Sequence, residues 1–184
     1  MRLPGIVAVL VVISFGNSLQ AQEQKDWIPG GVESLQEGAI SKTSFTFDHS
    51  MLVLASKLDP DNEELRRVIA GVSGVSVRTY RFPGVWQYDR GALAAVSDEY
   101  RAAGWKQVMD RHQPGGASAT TNLWMRLENN GVSNVAILVA KSNEVDFVVV
   151  SGSISPLDLS HLGGHFGIPK IEGGVVVPNT GSQQ

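Results

Sequence analysis

Three side chains near the C-terminus have the types and spacing for metal chemistry. On one continuous helix His161 and His165 share a face, and Asp158 lies one turn before His161. A carboxylate with two imidazoles is a ligand set for zinc and similar ions. Gly163 and Gly164 stand between the histidines and oppose that continuity. A glycine pair is how a helix C-terminus reads, and a break there turns His165 away from His161. His161 in a last turn interacts favourably with the helix dipole without any metal. The favoured reading is a helix end. The alternative is a metal-binding protein or metal-dependent hydrolase using Asp158, His161 and His165, with His112 brought in from elsewhere.

Other groups carry less direction. Asp110 and His112 lie two apart on an expected strand and share its face, an arrangement that orients an imidazole for base catalysis. No nucleophile-elbow serine motif accompanies them, so an exposed strand end before "QPGG" is the simpler reading. Ser151 and Ser153 interrupt an apolar strand, and Gly152 between them signals a bulge or a close backbone approach. Asp59, Asp61 and Glu63 imitate the start of a calcium loop. The sixth and twelfth positions are Glu64 and Ala70, where such a loop needs glycine and a carboxylate. The loop "QPGGASA" lacks a phosphate-binding lysine signature. Among the aromatics, core packing accounts for Trp105 as well as a binding surface does, and Trp124 belongs to the same set. Trp86 and Tyr88 in "FPGVWQYD" are harder to place inside, which makes them the first candidates for a partner surface.

The elements that must hold these groups can be read from caps and periods. Asp48 caps a first short helix with Met51, Leu54, Ala55 and Leu58 at helical spacing. Asp59 before Pro60 opens a second, with Leu65, Val68, Ile69 and Val72 on one face. "VSVRTYRF" alternates as a strand, with Arg78 and Arg81 on opposite faces. Leu93, Val96, Tyr100 and Ala103 mark a third helix, stopped by Gly104. "WKQVMDRH" is the next strand, and this strand, helix, strand unit should cross over right-handed. A three-strand meander follows: "TTNLWMRLE", "VSNVAILVAK" and "EVDFVVVSGSI", turned first by "NNG". Its near-continuous apolar runs suit strands covered on both faces, or nearly so. Ser155, Pro156 and Asp158 form a variant capping box for the last helix. The expected fold is α+β, a mixed but mostly antiparallel sheet of about five strands with helices packed on one face. "IAGVSGVSV" resembles the helix-to-strand joint of ferredoxin-like metal carriers. Those bind copper through paired cysteines, so only their architecture carries over.

At 184 residues the chain suits one domain. Arg2, the apolar run from Ile6 to Phe15 and small or polar residues to Ala21 follow the order of a signal peptide, expected at 1–21. That run is shorter than the roughly 20 apolar residues a membrane span needs. Residues 22–43 read as a flexible leader, 44–166 as the domain and 167–184 as a flexible tail, whose Val175–Val177 is suited to a sheet edge. Removing 1–21 takes away Arg2 alone and leaves the product one unit more negative than the −3 of the full chain. A mildly acidic chain is no electrostatic nucleic-acid binder. With no cysteine, it has no disulfides, no acylated cysteine and no thiol chemistry.

Three stretches, "FTFDHSMLVLASKLDPDNEELRRVIAGVSGVSVRTYRF", "YRAAGWKQVMD" and "VVVSGSISPLDLSHLGG", together resemble domain of unknown function family 4252. The likeness covers roughly Ser44 to Gly164 and consists of apolar patterns, glycines and caps. It implies an exported bacterial envelope protein with a small α+β domain, and it transfers no catalytic residues. The resulting expectation is a periplasmic or secreted, non-enzymatic binding or signalling module. It would need no cofactor, meet an envelope protein partner, and neither bind nucleic acid nor stay inserted in the membrane.

Overall fold

The computed structural model describes residues 28–59, 61–85, 87–113, 119–129, 131–168, 170–172 and 175–177. The expected signal peptide lies outside the described residues.

The two most apolar segments of the meander form β5 (Gly131–Ala140) and β6 (Glu144–Gly152). Every residue from Asn134 to Ala140 and from Phe147 to Ser151 is buried. Successive strand side chains point to opposite faces, so unbroken burial demands cover on both sides. On the first face, α2 (His49–Ser56), α3 (Glu63–Gly71) and α5 (Pro156–Leu162) set Leu52, Leu65, Val68, Ile69, Leu159 and Leu162 against Val135, Ile137, Val148 and Val150. On the second face, α1 (Gly30–Ser34) and α4 (Arg90–Ala102) set Val32, Ala92, Val96 and Tyr100 against Ala136, Leu138, Phe147 and Val149. This corrects the expectation of helices on one face. Bare, the second face would leave side chains such as Leu138, Phe147 and Val149 in water at roughly 1.5–3 kcal/mol each.

The sheet has six strands in the order β1 (Ser41–Asp48), β2 (Val72–Arg81), β6, β5, β4 (Ala119–Glu128), β3 (Lys106–Gln113). Every neighbouring pair is antiparallel, so the sheet is not mixed. The strand beyond the expected five is β1, an edge strand that is exposed everywhere except partly at Phe47. Two phenylalanines among polar residues gave it little periodic signal. β2 and β3 run in the same direction with three strands between them. Helix α4 therefore carries the chain across the second face, and the meander returns to fill the gap.

Local signals hold at most helix starts. Asp48, Asp89 and Ser155 accept hydrogen bonds from the backbone N–H of Met51, Gly91 and Asp158. For α3 the cap is Asn62, which accepts from Leu65 N–H at 3.0 Å, in place of Asp59. Asn129, at the turn into β5, takes the positive φ expected there.

The segment expected as a flexible leader folds from Ile28 onward. The Glu99 carboxylate of α4 accepts from Gly30 and Gly31 N–H at 2.7 and 2.8 Å, and Val32 and Leu35 are fully buried. In the expected tail, Ile168 is fully buried. The short strands β7 (Lys170–Glu172) and β8 (Val175–Val177) pair with each other, and neither joins an edge of the main sheet.

The bulge expected at Gly152 is where β2, β6 and α3 meet. Gly152 has φ +138, and a Cβ there would stand 2.2 Å from Gly71 O and 2.8 Å from Ser73 N. Next to it, Ser153 N–H donates to Gly71 O at 2.9 Å. Gly152→Ala is expected to lower the unfolding free energy by about 3 kcal/mol or more, from backbone strain with overlap added. Urea unfolding checks this as a fall in midpoint at unchanged slope.

Candidate functional site

The residues proposed for metal chemistry are already engaged. Asp158 N–H donates to Ser155 Oγ at 3.1 Å, and Ser155 N–H donates back to Asp158 Oδ2 at 2.8 Å. The Ser155 bond holds the Asp158 carboxyl below its usual range against a small opposing effect of burial, with further help from Arg67 and His161. His161 Nε2 stands 3.2 Å from Glu64 Oε1 on α3. Helix α5 ends at Leu162, and Gly164 takes φ +87 as the chain turns away. His165 then lies in the following turn, its N–H on Leu162 O at 3.0 Å and its ring 6.2 Å from that of Phe166. Among the described residues no three His, Asp or Glu side chains gather as a metal set. In this structure Asp158 caps α5, His161 contacts α3 and His165 lies in the turn after α5.

The remaining candidates separate in the same way. Tyr88, expected at the surface, is only 5% exposed, with its ring 5.8 Å from that of Phe82 in the second-face core. Burial pushes its phenol pKa up, opposed by Arg90. Trp86 lies outside the described residues. Trp105 and Trp124 are both buried, their rings 4.6 and 4.8 Å from that of Tyr100. Asp110 is exposed on β3; the His112 side chain lies outside the described part. Ser151 is buried and accepts from Asn134 Nδ2 at 2.8 Å, while Ser153 is exposed.

A dense polar cluster at the β5–β6 turn serves the sheet. Lys141 Nζ reaches Glu144 Oε1 and Asp146 Oδ2, each at 2.7 Å. Arg81 donates to Glu144 Oε2 from Nε at 3.0 Å and Nη2 at 2.7 Å, and Thr79 Oγ1 donates to Asp146 Oδ1 at 2.9 Å. All four carboxylate oxygens of Glu144 and Asp146 make a contact within this network. Burial works against the charge on Glu144, but Lys141 and Arg81 outweigh it and hold its pKa below the usual range.

The surface that sequence reasoning missed is on α2. Met51 and Leu54 on this helix and Leu58 just beyond it, which the sequence marks only by their helical spacing, point outward. Met51 is 48%, Leu54 66% and Leu58 85% exposed, whereas Leu52 is fully buried. Two contacts set this rotation. Asp48 Oδ1 accepts from Met51 N–H at 2.9 Å, and His49 Nδ1–H donates to Val72 O at 2.7 Å. His49, Leu52, Val53 and Ser56 lie at i, i+3, i+4 and i+7, so pinning His49 to β2 turns that face inward. Alongside, Phe45 on β1 is 55% exposed at the end of an aromatic row. Its ring is 6.3 Å from Phe47, which is 5.9 Å from Phe166. The signal available in sequence was that "HSMLVLAS" is apolar on more than one side. Such a helix is fully covered or offers a surface. The chemistry of this surface is apolar contact and strand pairing.

Two outcomes are expected. Because Glu144 is depressed when folded, its contribution is complete above the ordinary carboxylate pKa and is lost as pH falls through the lowered one. Glu144→Gln should cost about 1 kcal/mol at neutral pH for this partly exposed network. The gap should close between about pH 5 and 2, as urea titrations at each pH would show. Added zinc should leave the thermal midpoint unchanged in the native protein and in a His161→Ala, His165→Ala variant alike. A rise confined to the native protein would restore the metal reading.

Among the described residues no helix is long and apolar enough to cross a membrane. No curated protein and no solved structure gives a significant match to the chain. The profile of the domain of unknown function DUF4252 matches residues 37–162, from just before β1 to the last residue of α5. With most of its length matched, and with the cap, helix and strand pattern that carried the resemblance, the chain belongs to the DUF4252 family.

Proposed function

We propose that this protein is an exported, non-enzymatic binding module of the bacterial cell envelope that engages a protein partner through the outward face of α2 and the adjoining β1 edge. The observation that carries the reading is the stripe of Met51, Leu54 and Leu58. Isolated exposed apolar residues are ordinary, but Met51 and Leu54 on one helix face, Leu58 two residues beyond the helix end and Phe45 on the adjoining strand are grouped as apolar residues are at interaction sites. Polar residues border the stripe directly: Lys57 and Asp59, on either side of Leu58, are exposed. Export rests on the order of charge, apolar run and small residues in 1–21. Asp158, His161, Glu144 and Asp146 take part in a cap, an inter-helix contact and a cross-strand network.

In-cell photocrosslinking tests the surface. With a benzophenone amino acid at position 54 or 58, illumination should give a discrete adduct. At position 101, exposed on α4 over the opposite face, it should give none. Absence of any adduct from positions 51, 54 and 58 would overturn the proposal.

A further inference from the structure

We infer that the partner of this surface is a second copy of the same chain, joined through antiparallel pairing of β1 with β1. The inference rests on the binding reading above and names its occupant. As the outer strand of an antiparallel sheet, β1 directs part of its backbone N–H and C=O groups away from β2, where only solvent or another strand can bond them. β1 pairs with β2 over eight consecutive positions without a register shift, from Ser41 opposite Arg81 to Asp48 opposite Gly74. The other edge is different. β3 breaks register between Gln107 and Met109, and a bulge of that kind discourages pairing.

The sequence of β1 is complementary to itself in one register. Antiparallel pairing of identical strands requires a twofold axis perpendicular to the sheet, which keeps each side chain on its own face. With the axis at Phe45, the Phe45 residues of the two copies face each other, Ser44 meets Thr46, Thr43 meets Phe47, and Lys42 meets Asp48 twice. Moving the axis by one residue sets Lys42 opposite Thr46 or Ser50 and loses both charge pairs. A lysine on an edge strand ordinarily repels a second strand. Here Asp48 answers it. Lys42 makes no ion pair among the described residues, and the Asp48 carboxylate accepts from Met51 N–H through Oδ1, which leaves Oδ2 to receive it. The same axis keeps both α2 helices on one face of the joined sheet, flanking the paired Phe45 rings. The exposed stripe thus lies on the face of the joined sheet that also carries the paired Phe45 rings.

The cysteine-free chain makes the test direct. Across such a pair, Cα atoms at the axis stand about 4.5–5.5 Å apart, within disulfide reach. The protein as processed by the cell should sediment at twice its chain mass, dissociating on dilution. Phe45→Cys should form a disulfide between copies under mild oxidation. Lys42→Cys, which lies six residues from its own mate, and Val108→Cys on the other edge should not. Phe45→Lys should sediment as a monomer with unchanged circular dichroism, since this half-exposed side chain is not part of the buried core. A native protein that stays monomeric, or a disulfide from Val108→Cys with none from Phe45→Cys, overturns the second copy as occupant. The adduct from position 54 then separates the two ideas. An adduct with a different protein keeps the binding reading with another occupant, and no adduct removes both.

Discussion

The two-sided burial of β5 and β6 is the constraint on which the rest of the molecule depends. Val135, Ile137, Val148 and Val150 require one apolar layer, and Ala136, Leu138, Phe147 and Val149 require another on the opposite face. Neither face can be left to water at the cost that burying such side chains saves. The topology answers this requirement. Helix α4 spans the second face between β2 and β3, while the first is closed by α2, α3 and α5. Helix α1 is then drawn in by Glu99 on α4, which satisfies the Gly30 and Gly31 N–H groups that α1 could not satisfy itself.

The same arrangement determines where apolar surface is left over. The first face has three short helices, and α2 lies nearest the β1 edge with contacts to β1, β2 and α3. One side of α2 suffices to cover the sheet beneath it. His49 bonded to Val72 O selects the side carrying Leu52, and the stripe of Met51, Leu54 and Leu58 has no layer above it among the described residues. At the other end of β2, polar side chains bind strand to strand. Arg81 and Glu144 pair across β2 and β6, and Thr79 and Asp146 do the same two positions further in. These groups tie β2 to β6 in register.

The proposed binding role draws on what the fold leaves exposed. Its strongest electrostatic features are consumed in caps and cross-strand pairs. Its exposed features are a strand edge and an apolar helix face, which act by shape, backbone hydrogen bonding and removal of water. Tyr88 shows how readily an aromatic residue in a turn-rich segment is mistaken for surface. Its neighbour Phe82 follows β2 directly and draws the ring beneath α4.

What the sequence by itself determined is local. Asp48 and Ser155 start their helices, Leu65, Val68 and Ile69 mark the buried side of α3, and the meander strands can be read from their apolar runs, because caps and periodicity act within a turn or a strand. Glycines 152 and 164 were likewise legible, one as a close approach and one as a helix end. The tertiary structure alone decided which of the two apolar sides of α2 turns inward, that β1 forms an edge, that helices cover both faces, and that Asp158, His161 and His165 part company. Each of these outcomes depends on partners distant in sequence: His49 with Val72, β1 with β2, Glu99 with Gly30 and Gly31, His161 with Glu64. Such partners become neighbours only when the sheet assembles, and a helix with apolar residues on two sides carries no internal signal of which side the sheet will take.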